Sequence, residues 1–219
     1  MLAQRHYAIE SMAEVRRVIA EHGWSLLVTG GAGGLAVAHV PCLLDPKHDP
    51  GGDARELVVI GHAARHDPAV ARLADGGEAL LVFQGPHGYV SPAWYEDGPY
   101  VPTWNFVVVH LYGVPEVLEG AEAFDVLVRT VDHFEAARDE PWRLEGDALE
   151  HAHRIASGTL PFRLCATRID AKAKLSQDKP RAVQERVVVA LEAEGPYRQP
   201  ELAAEMRRTL GIPAAEAAA

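Results

Sequence analysis

Apolar and polar positions change period several times along this chain, and each change marks an element. Met12, Val15, Val18 and Ile19 recur at helical spacing behind Ser11, with Glu14 placed to complete a capping box, until Gly23 ends the stripe. Trp24–Thr29 and Gly34–Val40 are strand-like runs joined by Gly30, Gly31, Ala32 and Gly33, which predicts a β-hairpin. The polar stretch Asp45–Ala54, with its Pro and Gly residues, predicts a loop, and Glu56–Gly61 a third strand. Asp67 as N-cap and Pro68 at the first helical position predict a short helix that stops at Gly76 and Gly77. Ala79–Gln84 and Gly88–Ser91 are expected as two strands broken by Gly85 and Pro86.

Thr103–Tyr112 carries the clearest strand signal. Trp104, Phe106, Val108, His110 and Tyr112 alternate with Asn105, Val107, Val109 and Leu111, so the two sets face opposite ways. Helical spacing then returns in Phe124, Leu127, Val128, Val131 and Phe134, and more weakly in Leu149, Ala152 and Ile155. One further strand, Phe162–Ala171, is expected before two terminal helices near Pro180–Glu194 and Pro200–Thr209, with Ala214–Ala219 as a frayed tail. Strands at hairpin spacing, edged by helices, predict an α+β barrel-like fold rather than the strand–helix alternation of a parallel sheet.

Composition narrows this picture. A chain of 219 residues with 48% hydrophobic content suffices for one sizeable core, with or without a small appendage. Cys42 and Cys165 lie far apart, which suits a reducing compartment and offers no disulfide framework. Met1–Glu10 is polar and carries Arg5 and His6, unlike a signal peptide, and no apolar run approaches the ~20 residues of a membrane helix. The expectation is a soluble, cytoplasmic protein. Acidic residues outnumber Lys and Arg 31 to 21, for a formal charge of −10, and the basic residues are dispersed. Proteins that neutralise phosphates along DNA cluster their Lys and Arg, so this balance argues against direct DNA binding.

Few segments carry candidate chemistry. Gly30–Gly34 lacks the Lys-Ser/Thr of a P-loop and is followed by a strand, so a hairpin turn accounts for it. Phe83–Tyr95 with Val101–Asn105 concentrates aromatic rings, amides and hydroxyls among Gly and Pro, which suits either a planar ligand or an aromatic core corner. If the strand continues, Lys172 and Lys174 point the same way, and with Ser176 they suit a phosphate; a solvated lysine pair is the bland alternative. Arg65 fits either a phosphate or a surface carboxylate, and Asp67 already serves as a cap. His62 and His66, at a strand end, and His151 and His153, on different sides of a helix, argue against a metal site. Ser91 lies outside any Gly-x-Ser-x-Gly elbow, so a serine hydrolase lacks support.

These residues resemble a known family. Gln84–Pro92 with Trp94 and Tyr95, then Val101–Phe106 with Val109 and His110, is similar to the signature of PaiB-type proteins, the FMN-binding negative transcriptional regulators. Gly61, His62, Ala64 and Arg65, and the run Lys174–Gln177, resemble its other marks; Asp67 stands where the family usually has Asn. The resemblance runs from about the first helix to residue 195. It implies a split β-barrel of the FMN-binding type with inserted helices over residues 1–175, a C-terminal helical segment over 176–219, and a homodimer sharing FMN sites. It also implies that Lys174, Ser176 and Arg65 hold the phosphate with Ser91 and Gln84 nearby. Trp94, Tyr95, Trp104 and Asn105 would frame the ring system, and His62 would reach its polar edge.

Three functions follow from that resemblance. The first is an FMN-dependent oxidoreductase, in which the flavin carries the electron chemistry. The second is a ligand-sensing regulator that acts without direct DNA contact, since no recognition-helix module stands out. The third is haem binding or degradation, which needs an axial ligand such as His87 or His110. No residue identifies a catalytic acid or base, and the choice between enzyme and regulator stays open at this point.

Overall fold

A computed structural model describes residues 4–96 and 98–213; the tail expected at 214–219 lies outside the described residues. The elements are α1 (Met12–Glu21), β1 (Trp24–Gly31), β2 (Gly34–Leu44), β3 (Val58–Ala64), α2 (Pro68–Ala71), β4 (Ala79–Val90), β5 (Thr103–Gly113) and β6 (Glu116–Val117), followed by α3 (Gly120–Glu135), α4 (Gly146–Ile155), β7 (Thr159–Cys165), β8 (Arg168–Lys174), α5 (Arg181–Glu192) and α6 (Pro200–Leu210). The strands form one sheet in the order β6-β7-β3-β2-β1-β4-β5-β8. No helix among the described residues is long and apolar enough to cross a membrane.

The chain falls into two compact units, whose boundaries lie just before α1 and within β4, β5 and β8. One comprises Ser11–Phe83 and Val109–Asp170; the other takes the described parts of Met1–Glu10, Gln84–Val108 and Ala171–Ala219.

The larger unit is built on local signals that work as expected. Ser11 Oγ accepts from the Glu14 N–H at 3.3 Å and donates to Asp53 at 3.0 Å, which starts α1 and ties it to the loop before β3. Asp67 accepts from the Ala69 N–H at 2.8 Å and starts α2. The hairpin of β1 and β2 pairs Trp24 with Pro41 through to Gly31 with Gly34. β3 lies between β2 and β7, and a Cβ on Gly61 would stand 2.6 Å from Cys42 Sγ and 2.9 Å from Phe162, so this crossing requires a residue without a side chain. Leu43, Ile60, Leu118 and Val126 pack α3 against the sheet.

At the rim of that core sits a buried charge cluster. The fully buried Asp45 accepts from Arg129 at 2.9 Å, Arg163 at 3.1 Å, and the Lys47 N–H at 2.9 Å, and its other contact is His48 at 2.7 Å. Burial pushes its pKa up, but the Lys47 N–H, His48 and Arg163 outweigh that and hold the carboxyl below its ordinary range.

The smaller unit centres on Val183, Val187, Leu191, Leu202 and Met206 of the paired helices α5 and α6. Residues 8 and 9 add a short pairing to β8, through an Ala8–Lys172 bridge and the Ile9 N–H donating to Ala171 at 3.1 Å.

Two strand expectations need correction. Gly85 and Pro86 do not break a strand: β4 is continuous, and its buried set changes from odd positions (79, 81, 83, 85) to even ones (88, 90), as one extra residue in a strand does. Phe162–Ala171 is two strands, not one. The chain turns at Ala166 and Thr167, where the Ala166 N–H donates to Leu57 and the Thr167 N–H to Tyr112, so the turn is fixed by long-range partners.

Candidate functional site

In the smaller unit, the end of β8 and the turn after it form one wall of a cavity of about 350 Å³. Lys174 lines it and donates to Thr103 Oγ1. Burial lowers the Lys174 pKa; Asp178 opposes that, while Lys172 and Lys179 add to it. The buried Ser176 adopts a left-handed backbone (φ 66°), and its Oγ accepts from Asn105 Nδ2 at 2.9 Å. Gln184 holds that turn from α5 by donating to the Ser176 and Lys179 carbonyls at 3.2 and 2.9 Å.

Across the cavity, Tyr95 follows the helical turn of Pro92–Trp94, and its carbonyl accepts from Arg186. Its side chain is fully buried, and its hydroxyl has no hydrogen-bond partner among the described residues. Buried polar atoms are almost always paired, so this one marks a place where something else can bond. Burial pushes the Tyr95 pKa up. Tyr100 meets the Tyr95 ring edge-on at 5.2 Å and carries Lys179 over its own ring at 4.8 Å. Tyr7, pushed up to about 12 by burial and by its hydrogen bond to Asp178, closes another side. Lys179 is ion-paired with Asp178, so the cavity holds two ammonium groups against one carboxylate, with the buried Tyr95 phenol left over.

Other residues expected around a ligand lie elsewhere. Trp104 and Asn105 are neighbours on β5, so Asn105 is buried while Trp104 faces the other way, 55% exposed. Trp104 lines a separate groove of about 370 Å³ with His87, Tyr89 and Tyr197. Trp94 meets Tyr197 at 6.2 Å. Gln84 Nε2 contacts His87 Nδ1 at 3.1 Å, and Ser91 Oγ accepts from the Ala93 N–H at 3.2 Å as a cap. Lys172, paired in the sequence with Lys174, is buried and donates to Gln4 at 2.7 Å.

His62 and Arg65 belong to the larger unit. His62 Nδ1 stands 3.5 Å from Thr130 Oγ1, and burial lowers its pKa. Arg65 donates to the Ser157 carbonyl at 3.0 Å and lines a cavity of about 360 Å³ with Phe124, Leu127 and Thr159.

The sequence did not single out Tyr7, Tyr100, Asp178 or Lys179. Lys179 follows the Lys174–Gln177 run closely and Tyr100 immediately precedes Val101, so both adjoin segments already marked; Tyr7 sits in no pattern at all.

Comparison with known proteins gives four findings. Residues 1–168 match the sequence profile of a family described as "Putative FMN-binding domain". The chain is 29% identical over 182 residues to the protease synthase and sporulation protein PAI 2 of Bacillus subtilis, covering 82% of this chain and 83% of that one. Among solved structures, it resembles the FAD and haem binding protein of Mycobacterium smegmatis (TM-score 0.57, 14% identity, 86% of this chain and 81% of that one). It also resembles the flavocytochrome Anf3 of Azotobacter vinelandii (TM-score 0.57, 16% identity, 78% and 72%). At such identities the likeness speaks for the fold alone, and that fold is the α+β split barrel expected from the sequence.

Proposed function

The chain belongs to this FMN-binding-domain family, and from that premise we propose that it is a flavoprotein that binds the phosphate of FMN in the Lys174 cavity and uses the cofactor as an oxidoreductase. The unpartnered, buried Tyr95 hydroxyl beside Lys174 and Lys179 carries this reading. Residues present there fit a phosphate-bearing group: ammonium groups form charge-assisted bonds to its oxygens, and a phenol donates a further one. Lys174 and Lys179 would hold the phosphate, and Tyr95 would donate to it or to the neighbouring ribityl chain. Ser176 and Asn105, bonded to each other, hold the turn that presents Lys174.

When bound, the flavin supplies reversible electron transfer. The chain's part is to bind and orient. Burial of Tyr95, Asn105 and Ser176 keeps water from one side of the cavity, which strengthens the charge pairing inside it.

The expected companion to this function is a homodimer. β1, β2 and β4 share a face on which Trp24, Leu35 and Val37 are exposed, and Leu26, Val28, Leu80 and Val82 half-buried. An apolar sheet face of this extent suits a second copy of the chain. Free thiols at Cys42 and Cys165 support a cytoplasmic setting. The charge of −10 supports any regulatory role acting through partners rather than by direct DNA contact.

Titration of the purified protein with FMN, followed by NAD(P)H, tests the proposal. Saturable binding and bleaching of the flavin band are expected. Tight binding without bleaching by any reductant would leave a sensor rather than an oxidoreductase, and a Soret band on adding haem, with no FMN binding, would overturn the flavin reading.

A further inference from the structure

The aromatic groove of the smaller unit is a site in its own right. Its lining, drawn from residues 87–89, Trp104 and residues 196–199, shares no residue with the Lys174 cavity. The strand pleat explains the separation, because Trp104 and Asn105 project from opposite faces of β5.

Five rings join along the groove. His87 lies nearly parallel to Trp104 (24°, centroids 6.5 Å apart), and Tyr89 meets Trp104 edge-on at 6.3 Å. Tyr197 leans on Tyr89 at 5.0 Å and meets Trp94 at 6.2 Å. Rings gathered for packing alone would shield one another, yet Trp104 stays 55% and Tyr197 47% exposed. Gly88 lets the approach happen. A Cβ there would stand 3.0 Å from Leu202 Cδ2 and 3.1 Å from Gln199 Cγ, so those side chains would have to give by a few tenths of an ångström.

The polar groups define what fits. Among the described residues no Lys, Arg, Asp or Glu lines the groove, so it has no fixed charge to select a phosphate or a carboxylate. His87 Nδ1 is already engaged with Gln84 and with the Gly85 carbonyl, which leaves Nε2 facing outward from that pairing. The Gln199 backbone N–H donates to Leu191 at 2.8 Å, while its side-chain amide, with no hydrogen bond to the described residues, supplies both a donor and an acceptor. Stacking faces plus an amide edge are the complement of a flat heterocycle bearing its own amide-like edge.

We infer that this groove binds an uncharged planar heteroaromatic ring with adjacent donor and acceptor groups, of the nicotinamide or nucleobase kind, as a molecule separate from the phosphate-anchored cofactor. Residues 196–199 lie outside residues 1–168, the part matched by the family profile.

Isothermal titration calorimetry of the full chain with nicotinamide, and separately with adenine, tests the inference. Saturable binding of at least one is expected, weakened at least tenfold by Trp104→Ala, largely restored by Trp104→Phe, and weakened several-fold by Gln199→Ala. FMN affinity should stay unchanged in all three variants, which separates this site from the proposed cofactor site even if that proposal fails. Because Trp104 is more than half exposed, its replacement leaves the fold intact. Absence of saturable binding by both probes, equal affinity in Trp104→Ala, or competition between FMN and the probe would each overturn the inference.

Discussion

The Asp45 cluster and the Lys174 cavity are both gatherings of buried charge, built to opposite rules. At Asp45 every acceptor is matched: two arginines, a histidine and a backbone N–H converge on one carboxylate, and Arg163 reaches on to Glu116 and Glu122. At Lys174 the matching is incomplete: Lys174 meets the neutral Thr103 hydroxyl and Lys179 pairs with Asp178, but the Tyr95 phenol has no partner among the described residues. A satisfied cluster has nothing left to offer a ligand and serves the fold. An unsatisfied one loses stability until something arrives to complete it.

The largest effect that should separate the two regions is on folding. Asp45→Ala leaves Arg129 and Arg163 without their buried counter-charge and should cost about 3–5 kcal/mol in denaturant unfolding, with FMN affinity at native conditions unchanged. The same carboxyl sets an acid limit. Its folded pKa is depressed, so its contribution is complete above the unfolded value of about 3.9 and is lost as pH falls through the folded value. Unfolding followed by circular dichroism between pH 6 and 2 should show a steeper loss of stability in the parent protein than in Asp45→Asn, where only the other depressed carboxylates, such as Asp178 and Glu192, remain.

Lys174→Ala should do the reverse. Loss of a charge-assisted contact should weaken FMN by about 1.5–3 kcal/mol, roughly tenfold to a hundredfold, with stability nearly unchanged. Flavin fluorescence titration measures the first and thermal unfolding the second. Equal FMN affinity would remove Lys174 from the site.

A smaller effect comes from pH. Burial holds the Lys174 pKa below that of a free lysine, so its charge is lost as pH rises through that lowered value. FMN affinity should therefore fall on the alkaline side, before ordinary lysines titrate. Lys174→Arg, which stays charged, should flatten that fall, and an unflattened profile would assign it to another group.

The two regions also differ in how openly the sequence declared them. Caps and hairpins are local: Ser11, Asp67 and the Gly30–Gly33 turn state their roles within a few residues, as does the alternation of β5. Pro86 misled because a proline reads as a strand break, whereas here it sits where β4 changes phase. The turn at Ala166 and Thr167 carries no Gly, Pro, Asn or Asp, and its backbone partners lie more than fifty residues away. The site was legible in kind but not in grouping. Asn105 and Ser176 were both named, yet their bond spans 71 residues, and the alternation of β5 set Trp104 and Asn105 on opposite faces without telling which neighbours each face would meet. The Asp45 cluster gave no warning, because Arg129 and Arg163 meet it from sequence distances of 84 and 118.

One substitution tests the central contrast most directly, namely Tyr95→Phe, read in two ways on the same sample. The parent hydroxyl is buried with nothing to bond, so its removal should leave the free protein at least as stable, by up to about 1–3 kcal/mol. If FMN completes the cavity, the same variant should bind it several-fold more weakly, the loss of about 0.5–1.5 kcal/mol expected for one neutral hydrogen bond. A free protein destabilised by the change, or FMN affinity equal to the parent's, would contradict the account.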